Sequence, residues 1–171
     1  LAAALEAFQE RGYEATSVAD IVAALGTSKA DDYRLGSKEQ LLAELVEPFL
    51  DDIDEVLVRS PRHPSWPGEG SQLLSSYLDV LIFHRDLVVW IDGDNAVLHH
   101  PIIGTRLAES NRRLRAAIRG DNRSSTARLG ASAALGAMWR PLRNLTDLDA
   151  QPDREAILAA ALAVVETVRS S

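Results

Sequence analysis

The sequence predicts an all-α fold, with a three-helix helix-turn-helix domain at the N-terminus and a longer helical domain after it. Three observations carry this. Apolar residues recur at helical spacing along the chain, and strand-type alternation is missing. The stretch from Thr16 to Lys29 reads as a helix, a tight turn and the start of a second helix. Gly, Pro and Asn-Asp clusters then separate further helical stretches.

The elements run in order. A first helix over residues 1–10 puts Leu5 and Phe8 on one face; Gly12 ends it, and Tyr13 packs back over the helix-turn-helix. Thr16 and Ser17 are good N-cap residues. Val18, Ile21, Val22 and Leu25 form the apolar stripe of the second helix. Gly26 suits the left-handed residue that ends it. Ser28 caps a third helix with Lys29 in its first turn. Such a third helix is built to lie in a DNA major groove. Ser37 caps a long helix whose first turn holds Glu39, favoured by the helix dipole. Leu41, Leu42, Leu45, Phe49, Ile53 and Leu57 mark its buried side, and Pro48 inside that pattern predicts a kink or break near Glu44–Glu47.

Residues 60–70 are rich in Pro and Gly and form the expected junction between domains. A helix over 71–84 carries Leu73, Leu74, Tyr77, Leu78, Leu81 and Ile82; a short apolar helix spans 87–91. Asp92-Gly93-Asp94-Asn95 reads as a turn, or as part of a helix running through Leu98. Pro101 opens a helix to about residue 119, residues 120–122 turn, and the last two helices span 125–145 and 153–170.

The segment from Ala7 to Ile21, with Phe8, Gly12, Tyr13 and the Thr16-Ser17 cap ahead of an apolar helix, resembles the tetracycline-repressor (TetR) family. Ser28-Lys29, Tyr33 and Ser37-Lys38-Glu39 continue the pattern in order. The resemblance covers residues 1–45; beyond them only the helical layout is similar. It implies a DNA-binding domain over 1–45 and a helical regulatory and dimerisation domain over 46–171. It also implies roles at matching positions. Thr16 and Ser17 hold phosphate at the start of the second helix. Ser28 and Lys29 reach base edges or phosphate. Tyr33, Arg34 and Lys38 fix register on the backbone.

The chain departs from the family between Ser28 and Ser37. Asp32 stands where an apolar residue normally packs inward, the stretch is one residue short, and a His-Phe pair is missing. Asp31 and Asp32 oppose phosphate contact unless they accept a hydrogen bond from cytosine. Two readings stay open, a divergent recognition helix or a sequence with residues omitted.

The net charge of −7 is unevenly spread. Residues 1–38 carry four basic and six acidic side chains, and residues 39–60 carry one basic against seven acidic. Residues 61–120 are net +1 and the remainder balances. Local charge governs phosphate contact more than the total does. The motif is not basic, which predicts modest and strongly salt-sensitive DNA affinity. The 171 residues hold no cysteine, which excludes disulfides and thiolate metal sites. No apolar run reaches membrane-spanning length and no signal peptide is visible, so the expected location is cytoplasmic, with no membrane partner.

The helical region carries the remaining expectations. Leu129, Ala133, Leu135, Gly136, Met138 and Trp139 form an apolar run with many small residues. The last helix is apolar over more than half its circumference, through Ile157, Leu158, Ala161, Leu162, Val164, Val165 and Val168. Such a helix is buried on several sides. Internal core explains it, and so does pairing with a second copy in a four-helix bundle; the resemblance implies that homodimer. Tyr77, Phe83, His84, Trp90, His99, Met138, Trp139 and Asn144 are candidates to line an effector pocket, since aromatics with polar tips suit an apolar ligand. Plain core packing explains the same residues. Arg112, Arg115 and Arg119 share one helix face, either a solvated stripe or a place for an anionic effector.

No cofactor or metal is expected. His99 and His100 point about 100° apart on a helix and rarely share one metal. A calcium loop from Asp92 fails at Val97 and Ile103. No nucleophile elbow or phosphate loop is present, so no enzyme is expected. The sequence therefore reads as a homodimeric transcription regulator, a repressor released from double-stranded operator DNA by a small-molecule effector. The alternative is a helical dimer that binds a small molecule or protein and no longer reads DNA.

Overall fold

The computed structural model describes residues 1–25, 36–144 and 150–169; for residues 150–152 and 168 it describes the backbone alone. Among the described residues there are nine helices and no strand: α1 (Ala2–Arg11), α2 (Val18–Ala24), α3 (Lys38–Arg59), α4 (Gly68–Phe83), α5 (Arg85–Gly93), α6 (Asn95–Leu98), α7 (Ile103–Arg119), α8 (Ser125–Asn144) and α9 (Ala150–Arg169). No described helix is long and apolar enough to cross a membrane. The chain packs into two compact units. The first joins Leu1–Asp51 to Asp86–Leu107, and the second joins Asp52–Arg85 to Ala108–Ser171.

The first unit is built on aromatic packing. Phe8 of α1 is fully buried, stacks on Trp90 of α5 with ring centroids 5.6 Å apart, and meets Tyr13 at 5.4 Å. Ala4 and Ala7 share its buried face, while Leu5 is only half-buried. Gly12 ends α1 at φ 81°, a left-handed conformation open to glycine, and its N–H bonds back to Phe8. On α3, Leu42, Val46, Phe49 and Leu50 are fully buried, as are Ile91 of α5 and Val97 of α6, and these side chains make up the core of the unit. Full burial of such a side chain contributes about 1.5–3 kcal/mol.

A kink or a break was expected near Glu44–Glu47; that burial explains why α3 continues through Pro48 as one helix. Pro48 is exposed, and so is Glu44, whose carbonyl loses its i+4 donor. Water can satisfy that carbonyl, while Val46 and Phe49 on the opposite side hold the helix in place. At its start, α3 carries a reciprocal cap. Ser37 Oγ accepts the Gln40 N–H at 3.1 Å, and Gln40 Oε1 accepts the Ser37 N–H at 2.7 Å.

In the second unit α8 packs along α9, and both pack against α4. Tyr77, Leu78 and Leu81 of α4, Leu114 and Ile118 of α7, Ala131, Ala134 and Met138 of α8, and Ala161 and Val165 of α9 are buried. Residues 60–70 lie inside this unit and are not the expected junction. The half-buried Trp66 anchors them. Its Nε1 donates to the Ala117 carbonyl at 3.4 Å, and its ring lies so close over Gly70 that a Cβ there would meet it at 2.2 Å. Arg169 stacks on the Trp66 ring and bonds the Ile118 carbonyl at 3.0 Å, tying the end of α9 to the same place.

Candidate nucleic-acid interface

The start of α2 is fixed by a capping box. Ser17, in an extended conformation, accepts the Asp20 N–H at 3.2 Å, and Asp20 Oδ2 accepts the Ser17 N–H at 2.8 Å. These bonds, and secondarily Arg11 at 2.9 Å, hold the Asp20 carboxyl below the usual carboxylate range. Ser17 is exposed. Thr16 is not: its hydroxyl donates to the Gly12 carbonyl at 2.8 Å and approaches that of Ala7 at 3.2 Å, joining α1 to the turn before α2. Its N–H bonds the Tyr13 carbonyl at 3.4 Å, so Thr16 is a buried joint of the turn and not the phosphate contact expected of it.

Lys38 opens α3 beside this turn. Its Nζ donates to the carbonyls of Tyr13 at 3.0 Å and Glu14 at 3.2 Å, and lies 4.5 Å from the Tyr13 ring centroid. Asp94 closes the other side. Its Oδ2 accepts the Tyr13 N–H at 2.7 Å while Oδ1 caps α6 through Ala96 N–H at 3.0 Å. Asp94, which lay within the rejected calcium-loop reading, is thus a helix cap. Ser28, Lys29, Tyr33 and Arg34, together with Asp31 and Asp32, lie outside the described residues.

The eight effector candidates do not converge. Trp90 and His99 belong to the first unit, the other six to the second. Trp90 stacks on Phe8, with no hydrogen-bond partner for its Nε1 among the described residues, and His99 Nδ1 bonds the Asn95 carbonyl at 2.8 Å. In the second unit Tyr77 and Trp139 do meet: Trp139 Nε1 donates to the Tyr77 hydroxyl at 2.7 Å. Burial pushes the Tyr77 phenol well above its ordinary range. Met138 is buried beside Trp139 in sequence, and Asn144 ends α8 in an exposed position. His84 Nε2 lies 2.6 Å from Asp52 Oδ2, and Phe83, 80% exposed, meets the His84 ring edge-on.

The second unit does hold a pocket of about 450 Å³, lined by none of these eight residues. It lies among the end of α3, residues 60–63, α4 and α7, and three arginines face it: Arg62, Arg112 and Arg113. Of these, sequence reasoning had marked only Arg112. Periodicity grouped it with Arg115 and Arg119, whereas the fold groups it with the distant Arg62.

A capped α1–α2 pair ahead of the long α3, with helices alone among the described residues, is the layout of a helix-turn-helix fold. Residues 1–45 match the family model described as bacterial regulatory proteins, tetR family. No curated protein matches the chain by sequence. Solved structures similar to it include a TetR-family regulator from Streptomyces coelicolor, with 23% identity, a TM-score of 0.71, and 98% of this chain and 87% of that one covered. The regulator PfmR from Thermus thermophilus is 23% identical with a TM-score of 0.62, covering 95% and 94%. The ketosteroid transcriptional regulator KstR2 of Mycobacterium tuberculosis is 17% identical with a TM-score of 0.68, covering 96% and 92%. The likeness to the tetR family of bacterial regulatory proteins thus lies in the first 45 residues, and over its length the chain takes the fold of these solved structures.

Proposed function

We propose that this chain is a homodimeric, DNA-binding transcriptional regulator, a repressor that a small-molecule effector releases from its operator. Residues 1–45 are its DNA-binding domain and residues 46–171 its regulatory and dimerisation domain. The observation that carries the reading is the joint around Tyr13. Thr16, Lys38 and Asp94 fix the turn between α1 and α2 from three sides, and Ser17 presents a capped helix start beside it. The capping box holds the N–H groups of Ser17 and Asp20, so a phosphate at this helix start would meet those of Val18 and Ala19. Ser17 and Lys38 would set the backbone register, with Ser28, Lys29, Tyr33 and Arg34 completing the contacts.

The dimer is supported by the outer faces of α8 and α9. Leu129 is 72% exposed, and Ser132 and Ala133 are exposed on the same side of α8. Ala156, Ala159, Ala160 and Ala163 form an exposed small-residue face on α9. Small side chains let two helices approach closely. Two half-sites about one helical turn of DNA apart require two copies of the recognition helix. An effector acts only through its preference for one spacing of those helices.

The test is binding to the gene's own upstream DNA against a random duplex, at low and physiological salt. Preference for the upstream duplex that weakens with salt is expected. Equal or absent binding to both would overturn the reading and leave the helical dimer without DNA recognition. A repressor further requires that added effector lower the affinity.

A further inference from the structure

We infer that the arginine-lined pocket of the second unit binds an amphipathic organic anion, a carboxylate carried on an apolar body. As an effector site it rests on the function proposed above; as a binding site it stands on its own lining. The pocket holds about 450 Å³. Its apolar side comes from Leu57, Leu73 and Ala117, each of which is largely buried. Its charged side comes from Arg62, Arg112 and Arg113, with Glu109 the acidic residue among the lining.

The charges are arranged to leave positive potential over. Glu109 engages Arg112 through both carboxylate oxygens, at 2.9 and 2.6 Å, so the positive charge left over is that of Arg62 and Arg113. Arg113 reaches Asp54 only at 3.9 Å, the outer limit of an ion pair. Arg62 has no hydrogen bond or ion pair among the described residues. This excess stands out in a chain of net charge −7, and it continues along α7, which carries five arginines and one glutamate. A guanidinium fork matches a carboxylate in shape and charge. An uncharged ligand would fill the apolar side and leave that match unmade, so the pocket discriminates by charge as well as by size.

The experiment is calorimetric titration of the full chain, without DNA, with octanoate and naphthoate and with their neutral counterparts octanol and naphthol. At least one carboxylate is expected to bind about tenfold or more tightly than its alcohol. The triple variant R62Q/R112Q/R113Q should lose that preference. Ala116→Trp, at an exposed lining position, should weaken carboxylate and alcohol alike by filling the space. R123Q, outside the pocket, should change nothing, and circular dichroism checks that each variant folds. If neither carboxylate outbinds its alcohol, or if the folded triple variant keeps the preference, the inference is overturned. Anion binding by a chain that ignores its upstream DNA would support the pocket and overturn only the regulator. DNA binding by a chain that takes up no anion would do the reverse.

Discussion

Asp94 accepts the main-chain N–H of Tyr13 at 2.7 Å with one carboxylate oxygen and caps α6 with the other. One side chain thus fastens the turn between α1 and α2 to a helix about eighty residues further on. Asp94→Ala removes the cap, at about 0.5–2 kcal/mol, and leaves the Tyr13 N–H unpaired, at about 1–3 kcal/mol. We expect a loss of about 2–4 kcal/mol in urea unfolding. Asp94→Asn keeps one acceptor oxygen and should recover more than half of it. Equal losses for both variants would show that something other than these bonds sets the effect.

Ser17 and Asp20 form a second test at the start of α2. Ser17→Ala should cost about 1 kcal/mol. The Asp20 carboxyl lies below its ordinary value of 3.8, first through its bonds from Ser17 and then through Arg11. A lowered folded value means the folded state binds the proton less well than the unfolded chain. The stabilisation is therefore complete above that ordinary value and is lost as pH falls through the lower folded one. Urea midpoints measured from neutral pH down to about pH 3 should fall less steeply in Asp20→Asn than in the parent chain. Parallel profiles would remove Asp20 from the acid response.

Much of this N-terminal geometry was legible in the sequence because it is local. Gly12 ends α1, Ser17 caps α2 and Ser37 caps α3, each by bonds spanning a few residues. The reciprocal bond from Gln40 to Ser37 is as local, and the Ser-x-x-Gln spacing is its signal. What stayed hidden was long-range. Nothing in the periodicity of either helix pairs Phe8 with Trp90, so the joining of residues 86–107 to the first 51 could not be read. Thr16 looked like an exposed cap because cap residues usually are; its hydroxyl is drawn inward by two carbonyls. The aromatic candidates scattered because aromatic character marks core as readily as pocket, and the pocket with charged walls is lined by arginines instead. Residues 28–35, where the sequence departs most from the tetR-family pattern, lie outside the described residues.

Tyr77 offers a test in the second unit. Its hydroxyl accepts the Trp139 N–H at 2.7 Å inside a packed core. Tyr77→Phe removes the acceptor with almost no change in volume and should cost about 1–2 kcal/mol. Burial raises the phenol's folded value above its ordinary 10.0. The folded state then keeps the proton where the unfolded chain gives it up. That contribution is complete below the ordinary value and declines as pH rises above it. The stability gap between parent and Tyr77→Phe should therefore narrow above about pH 10. A constant gap through that range would mean that Tyr77 ionises alike in both states.

The outer face of α9 tests the dimer. Ala160 is exposed among Ala156, Ala159 and Ala163. Ala160→Glu puts a charge where two copies would meet and touches nothing buried within one chain. Sedimentation equilibrium should give twice the chain mass of 18.6 kDa for the parent and a shift toward 18.6 kDa for the variant, with helicity retained. An unchanged mass for the variant would place the dimer contact elsewhere.

Lys38 serves the fold and, in the proposed function, the DNA, and the two can be separated. Its ammonium is held by the carbonyls of Tyr13 and Glu14 and lies over the Tyr13 ring. Lys38→Gln keeps N–H donors but loses the charge, so stability should fall by about 1 kcal/mol. If Lys38 also neutralises a phosphate, the slope of log affinity against log salt becomes shallower by about one unit. Weakening should then be uniform across duplex sequences, because a phosphate contact carries no base information. A lower affinity with an unchanged salt slope would mean that Lys38 acts only through the turn it holds.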